Sequence, residues 1–122
     1  MSWDALAQCV SAHSCEADIA LSVVACDGRA WSVRGDELVP AASTAKIPIM
    51  VEMFRRIDRA QITLDAPCVV TDLDRAPGSG VLRMLHDGLH LTVGDLLYLM
   101  MSISDNTATN MLIESAGMAH IN

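Results

Sequence analysis

Aromatic residues and positive charge are both scarce in this chain. Aromatic side chains make up 3% of the 122 residues, so the core has to be built from aliphatic side chains and eight methionines. The formal net charge of −7 argues against nucleic acid as a partner, because binding to phosphates needs clustered lysine and arginine. A hydrophobic content of 52% is instead typical of a packed globular domain.

Long apolar runs are also absent. No stretch of about 18 apolar residues occurs, so we predict no membrane-spanning helix and no membrane partner. The start, Met1 to Asp4, shows neither a basic segment nor a following apolar segment, so no secretory signal is visible. We expect a cytoplasmic location for the chain as written, and a periplasmic or secreted one if a signal has been removed.

The four cysteines lack a metal-binding pattern. Cys9, Cys15, Cys26 and Cys68 are irregularly spaced and include no Cys-x-x-Cys pair, whereas structural zinc sites use closely paired ligands. Cys26 follows an apolar run, which predicts a buried side chain. We therefore expect reduced cysteines, no metal site and no cofactor.

The first 40 residues predict a helix followed by a β-hairpin. Residues 3–15 carry apolar side chains at helical spacing, as an amphipathic helix does. Two short apolar runs, 19–25 and 30–33, flank Asp27-Gly28, a dipeptide typical of tight hairpin turns.

Residues 41–122 are predicted to form a mostly helical part of the same domain. The expected elements are helices at 43–60, 81–85, 93–101 and 106–115, with a short strand at 68–70. Pro48 falls near the start of the first of these helices, where backbone N–H groups have no partner inside the helix and proline is tolerated. Thr92 is expected to cap one helix, and Ser104 or Asp105 the next. This order of elements indicates an α+β fold.

The most informative segment is Ser43-Thr44-Ala45-Lys46, a Ser-x-x-Lys sequence at the predicted start of a helix. Positions i and i+3 share a helix face, so the Lys46 amine is expected to reach the Ser43 hydroxyl. A serine hydroxyl needs a neighbouring base to act as a nucleophile, and a lysine amine is such a base in its neutral form, which burial favours. The same sequence also arises by chance, with the serine as a helix cap and the lysine in solvent.

A second segment, Ser104-Asp105-Asn106, supplies a further hydroxyl and a carboxamide. A serine hydroxyl both accepts and donates hydrogen bonds, and a carboxamide offers a donor and an acceptor. Alone, the tripeptide is also consistent with ordinary helix capping. Chance poorly explains two such segments in this order, each at a helix start, so together they predict a serine acyl-transfer site.

The sequence around both segments resembles the class A β-lactamase family of penicillin-recognising serine hydrolases. The likeness rests on Ser43 to Pro48, on Gly78 to Leu82, and on the runs 91–97 and 100–110. It covers essentially the whole chain but only about the first half of a family member. The resemblance implies a β-lactamase-like fold and hydrolysis of a β-lactam, or of a related amide or ester, through a serine acyl-enzyme.

The resemblance also implies roles for five residues. Ser43 corresponds to the acylated nucleophile, and Lys46 to the group that accepts its proton. Ser104 corresponds to the hydroxyl that relays a proton to the leaving nitrogen. Asn106 corresponds to the amide that holds the acylamino side chain of the substrate, and Asp105 to a residue that braces the loop.

Two parts of the family's site are expected to lie outside the chain. These are a deacylating glutamate on an omega-shaped loop and a Lys-Thr-Gly strand that binds the substrate carboxylate. Glu114 is the one acidic side chain after Asn106, and it falls inside a predicted helix. We therefore expect residues 1–122 to be the N-terminal portion of a β-lactamase-like domain, without turnover alone. A complementing C-terminal fragment or a homo-oligomer is expected to complete the sheet, because an isolated hairpin is marginal in water.

Two alternatives stay open. A D-alanyl-D-alanine peptidase or an esterase would use the same two segments, and the deacylating glutamate is the feature that separates a β-lactamase from a peptidase. A non-catalytic remnant or interaction module is the alternative from a different class, and the lack of a visible signal segment favours it slightly.

Overall fold

The computed structural model describes residues 3–121, which divide into two compact units, Met1–Pro40 and Ala41–Asn122. The mixed helical and strand content confirms the predicted α+β class. No helix within residues 3–121 is long and apolar enough to span a bilayer.

The first unit consists of helix α1 and an antiparallel hairpin. The elements are α1 (Trp3–His13), β1 (Leu21–Val24) and β2 (Ala30–Val33). Leu21 pairs with Val33, and Val24 pairs with Ala30. The Trp3 and Trp31 rings are stacked, with 6.5 Å between their centroids, which joins the helix to the hairpin. The predicted helix and hairpin are both confirmed.

The burial predicted for Cys26 is wrong. Strand β1 ends at Val24, and Cys26 lies in the turn, where its side chain is exposed. The apolar run therefore continues past the end of the strand into solvent. Among the described residues, no group of three or more His, Cys, Asp or Glu side chains is arranged to hold a metal ion.

The second unit packs three longer helices against one another and adds one small two-stranded sheet. Its elements are α2 (Lys46–Asp58), β3 (Pro67–Val70), β4 (Leu89–Thr92), α3 (Val93–Ser102), α4 (Asn106–Ala116) and α5 (Met118–Ile121). Strands β3 and β4 are antiparallel, with Pro67 opposite Thr92 and Val70 opposite Leu89. Strand β4 and helix α5 are absent from the elements predicted above. The helix predicted at 81–85 is a single 3-10 turn, Leu82–Met84.

The core of this unit is aliphatic, as the low aromatic content predicts. The buried cluster comprises Ile49, Met53, Val70, Leu82, Val93, Leu96, Leu97, Met100, Ala108, Leu112 and Ala116. Burying each large side chain contributes about 1.5–3 kcal/mol. Polar contacts add to this core, because the half-buried Arg56 of α2 pairs with the buried Glu52 and donates to the carbonyls of Ser115 and Ala116 at the end of α4. A positive charge is favourable at a helix C-terminus.

Candidate active site

Ser43 lies on the surface in a 3-10 turn, Ala42–Ala45, immediately before α2. Its side chain is exposed. The preceding residue, Ala42, has a left-handed φ of 46°, so the chain turns sharply just before the serine. The hydroxyl is therefore presented to solvent at the entrance to a helix, where a small molecule can reach it.

Lys46, the first residue of α2, is buried with 7% of its surface exposed. Its Nζ atom lies 2.8 Å from the backbone oxygen of Ser104, 2.6 Å from Ser104 Oγ and 3.0 Å from Asn106 Oδ1. All three oxygens belong to the second sequence segment. The structure thus brings the two segments into direct contact, although 58–60 positions separate them along the chain.

Ser104 connects the Ser43 hydroxyl to the Lys46 amine. Its Oγ lies 3.1 Å from Ser43 Oγ and 2.6 Å from Lys46 Nζ. Among the hydrogen bonds of residues 3–121, none joins Ser43 Oγ to Lys46 Nζ directly, so the expected direct contact is replaced by a bridge through Ser104. The reason is that the amine is already surrounded by oxygens of the 104–106 segment.

The hydrogen bonds around Lys46 are compatible with proton transfer. The Ser104 carbonyl and Asn106 Oδ1 can only accept, so they occupy two N–H groups of the amine. The third contact, Ser104 Oγ, can accept from an ammonium or donate to the lone pair of a neutral amine. In the neutral case Ser104 accepts in turn from the Ser43 hydroxyl. A proton can therefore pass from Ser43 through Ser104 to Lys46 without rearrangement of these side chains.

Asp105 is fully buried and holds two segments of chain together. Its Oδ2 accepts from the backbone N–H groups of Val81 (2.7 Å) and Leu82 (3.0 Å), and its Oδ1 accepts from Ala108 N–H (3.1 Å). The last of these bonds makes Asp105, and not Ser104, the N-cap of α4. Gly80 packs so closely that an added Cβ would lie 2.2 Å from Asp105 Cγ.

Asn106 is held by the segment 76–82, which we call the 76–82 loop. Its backbone N–H donates to Ser79 O (3.0 Å), and its Nδ2 donates to Pro77 O (2.9 Å). The neighbouring Thr107 hydroxyl accepts from Ala76 N–H at 3.1 Å. Gly78 and Gly80 allow this loop to lie close to Asp105 and Asn106. The sequence alone did not assign the loop a role in orienting Asn106.

No carboxylate of residues 3–121 forms an ion pair or hydrogen bond with Ser43, Lys46 or Ser104. Glu114 is exposed on α4. The described residues thus connect the Ser43 hydroxyl to an amine through Ser104, and no described carboxylate is hydrogen-bonded to that hydroxyl.

Comparisons of the sequence and of the structure with known proteins give matches over most or all of the chain. A profile of the beta-lactamase enzyme family matches residues 2–122. The crystal structure of a beta-lactamase from Sphaerobacter thermophilus superposes with a TM-score of 0.92 and 42% sequence identity over 100% of this chain. A PBP-A mutant in an acyl-enzyme complex with penicillin G superposes with a TM-score of 0.81 and 30% identity over 98% of the chain. A beta-lactamase of Rhodobacter capsulatus is 32% identical over 90 residues, which is 74% of the chain.

These similar proteins are longer than the chain. The matched region is 46% of the Sphaerobacter protein, 47% of the PBP-A chain and 30% of the Rhodobacter protein. The matched region is thus between 30% and 47% of the length of these proteins.

Proposed function

The chain belongs to the beta-lactamase enzyme family, and on this premise we propose that Ser43 reacts covalently with β-lactams. The observation that carries the proposal is the hydrogen-bonded series Ser43 Oγ, Ser104 Oγ and Lys46 Nζ, with distances of 3.1 Å and 2.6 Å. A nucleophilic hydroxyl within hydrogen-bond reach of a base, which other groups orient in turn, is the arrangement that acyl transfer requires.

In the proposed acylation, Ser43 Oγ attacks the lactam carbonyl and forms a tetrahedral adduct. The hydroxyl proton passes through Ser104 to the neutral amine of Lys46. The carbon–nitrogen bond of the lactam then breaks, and the proton returns from Lys46 through Ser104 to the leaving nitrogen. The product is an ester of Ser43 with the ring opened, and no atom or proton is left unassigned. Positioned proton transfer of this kind contributes about 10²–10⁴-fold in rate.

We assign substrate orientation to Asn106. One N–H of its Nδ2 is occupied by Pro77 O, and Oδ1 is occupied by Lys46. Since a carboxamide nitrogen carries two hydrogens, one N–H remains to donate to an amide carbonyl of the substrate side chain. Asp105 has a supporting role, because its buried carboxylate fixes the residues on either side of it.

Deacylation is proposed to need groups beyond these residues, supplied by a complementing C-terminal segment. The support is that no described carboxylate contacts Ser43, together with the 46% share of the Sphaerobacter protein that the chain covers. A homo-oligomer is the less favoured source, because a second copy brings the same side chains. The 122-residue chain alone is therefore expected to stop at the acyl-enzyme.

A peptidase-like or esterase-like acyl-enzyme is the second candidate function. The observation that favours it is the similarity to PBP-A, whose structure is an acyl-enzyme complex with penicillin G, combined with the absence, among residues 3–121, of a carboxylate hydrogen-bonded to Ser43. It shares the acylation step with the leading proposal and differs in the substrate that is released. The third possibility, a non-catalytic interaction module, predicts no adduct of any kind.

Intact-mass analysis of the chain incubated with penicillin G tests the proposed acylation. We expect a mass increase of one intact penicillin per chain, located by peptide mapping at Ser43 and absent from Ser43→Ala. Ser14→Ala, which changes an exposed serine outside the site, is the matched control and should retain the adduct. An unmodified chain would contradict the proposal and favour the interaction module, whereas an adduct that survives Ser43→Ala would contradict the assignment of the reaction to Ser43.

A further inference from the structure

The orientation of the Asn106 carboxamide is fixed from outside by the Pro77-Gly78 peptide. Two partners contact this carboxamide, and each is compatible with only one placement of the amide oxygen and nitrogen. Pro77 O can only accept, so the atom 2.9 Å from it is Nδ2. Lys46 Nζ donates to the other atom, Oδ1, at 3.0 Å. The two partners agree on one orientation of the amide and exclude the reversed one.

The carboxamide of Asn106 occupies the space that a side chain at position 78 would need. A Cβ built on Gly78 would lie 2.6 Å from Asn106 Nδ2, well inside van der Waals contact. Gly78 also has a φ of 98°, a backbone conformation that glycine adopts readily and other residues rarely adopt. Any side chain at this position therefore has to displace the amide nitrogen, the Pro77 carbonyl or both.

We propose that Gly78 is a positioning residue for the acylation site, acting through Asn106. The Pro77 carbonyl holds Nδ2 so that Oδ1 faces Lys46 and the second Nδ2 hydrogen is directed away from Pro77, available to a substrate amide. Displacing the carboxamide removes an acceptor from Lys46 and misplaces the substrate donor in one step. The proposal rests on the proposed function of the site, but the geometry that carries it belongs to the free chain.

A comparison of Gly78→Ala with Gly88→Ala tests the positioning role of Gly78. Gly88 has a similar left-handed φ of 77° and no atom within 4 Å of a built Cβ, so its substitution reproduces the backbone strain without the steric contact. We expect Gly78→Ala to lower the rate constant of penicillin acylation by about 100-fold, the size of effect that a misplacement of about 1 Å produces. Gly88→Ala should acylate at the unsubstituted rate, and its unfolding free energy should fall only by the backbone strain that the two variants share.

A double-substitution cycle separates positioning from a general loss of structure. If Gly78 acts through Asn106, Gly78→Ala should have no further effect on acylation in an Asn106→Ala background, because the group it displaces is gone. An equal effect of Gly78→Ala in both backgrounds would overturn the proposal. So would a fully folded Gly78→Ala chain that acylates at the unsubstituted rate.

A nuclear magnetic resonance measurement makes the test independent of acylation. The side-chain amide resonances of Asn106, assigned by their loss in Asn106→Ala, should shift and exchange faster with water in Gly78→Ala but not in Gly88→Ala. Unchanged resonances in Gly78→Ala overturn the positioning role even if the chain is acylated. If the unsubstituted chain is not acylated but the resonances change as expected, the proposed function fails and the positioning of Asn106 stands.

Discussion

Ser104 is the residue on which the proton path depends. Its backbone is in the left-handed region, with a φ of 58°, where a serine is uncommon. The N–H groups on both sides of it, those of Ile103 and Asp105, donate to the Leu99 carbonyl at 3.3 Å and 3.1 Å, which holds the chain in this conformation at the end of α3. The strained backbone directs the hydroxyl between Ser43 and Lys46.

Replacing Ser104 by alanine should break the path while leaving the nucleophile and the amine in place. We expect Ser104→Ala to lower the acylation rate constant by about 10²–10⁴-fold, the range for loss of positioned proton transfer. Stopped-flow or quenched mass measurements give that rate. Ser102→Ala is the matched control, because its exposed hydroxyl bonds only to Tyr98 O one turn back. A Ser104→Ala chain that acylates at the control rate would mean that Lys46 reaches Ser43 without the bridge.

The residues of the site follow from the sequence, but their contacts follow only in part. Ser43, Lys46, Ser104 and Asn106 could be chosen from their chemical types and their places at helix starts, and the structure gathers all four. The bridge through Ser104 could not be derived, because it depends on a left-handed backbone at Ser104 and on contacts with residues about 60 positions away. The orienting contact from Pro77 is invisible for the same reason, since 29 positions separate it from Asn106.

At the scale of secondary-structure elements, those with local sequence signals could be predicted, whereas a strand that forms by pairing with a distant segment could not. For helices α1 to α4 and the first hairpin, the sequence signals (periodicity, caps and turn residues) lie within the element or next to it. Strand β4 is four residues long and runs directly into α3, so its pattern merges with that of the helix. It forms because it pairs with β3, more than twenty positions earlier. The 3-10 turn at Leu82–Met84 also depends on a distant partner, because the Asp105 carboxylate accepts from the N–H groups at its start.

The start of α3 gives a pH-dependent contribution to stability. Hydrogen bonds from the Thr92 hydroxyl and backbone N–H hold the pKa of the Asp95 carboxyl below its ordinary value of 3.8. A carboxyl with a depressed folded-state pKa stabilises the fold above its unfolded-state value, and that contribution is lost as the pH falls through the folded-state value. The capping interaction is therefore strongest near neutral pH.

Urea denaturation of the unsubstituted chain and of Asp95→Asn at several pH values checks this contribution. The difference in unfolding free energy should be constant above about pH 5 and should close as the pH falls below about 4. Asp65→Asn, at an exposed carboxyl in the loop before β3, is the control and should show no comparable closing. A difference that persists at low pH would assign the effect of Asp95→Asn to something other than the charge.

At the scale of the whole molecule, the proposed function assigns to the chain one chemical step of a longer cycle. Ser43, Ser104 and Lys46 all lie in the unit Ala41–Asn122. The 76–82 loop, which orients Asn106, lies in the same unit. The family relationship covers residues 2–122, whereas the matched proteins extend over two to three times this length. If the proposed function holds, acylation does not need the groups that turnover needs, and we expect the chain to perform the first without the second.

The most direct test is the stoichiometry of ring opening by the 122-residue chain with a chromogenic β-lactam such as nitrocefin. We expect a burst of one ring-opened molecule per chain, followed by no sustained hydrolysis above the Ser43→Ala background, with the acyl group still on Ser43 when the burst ends. Sustained turnover that depends on Ser43 would contradict the claim that deacylation needs further groups. No burst, in a chain shown to be folded, would contradict the claim that Ser43, Ser104 and Lys46 suffice for acylation.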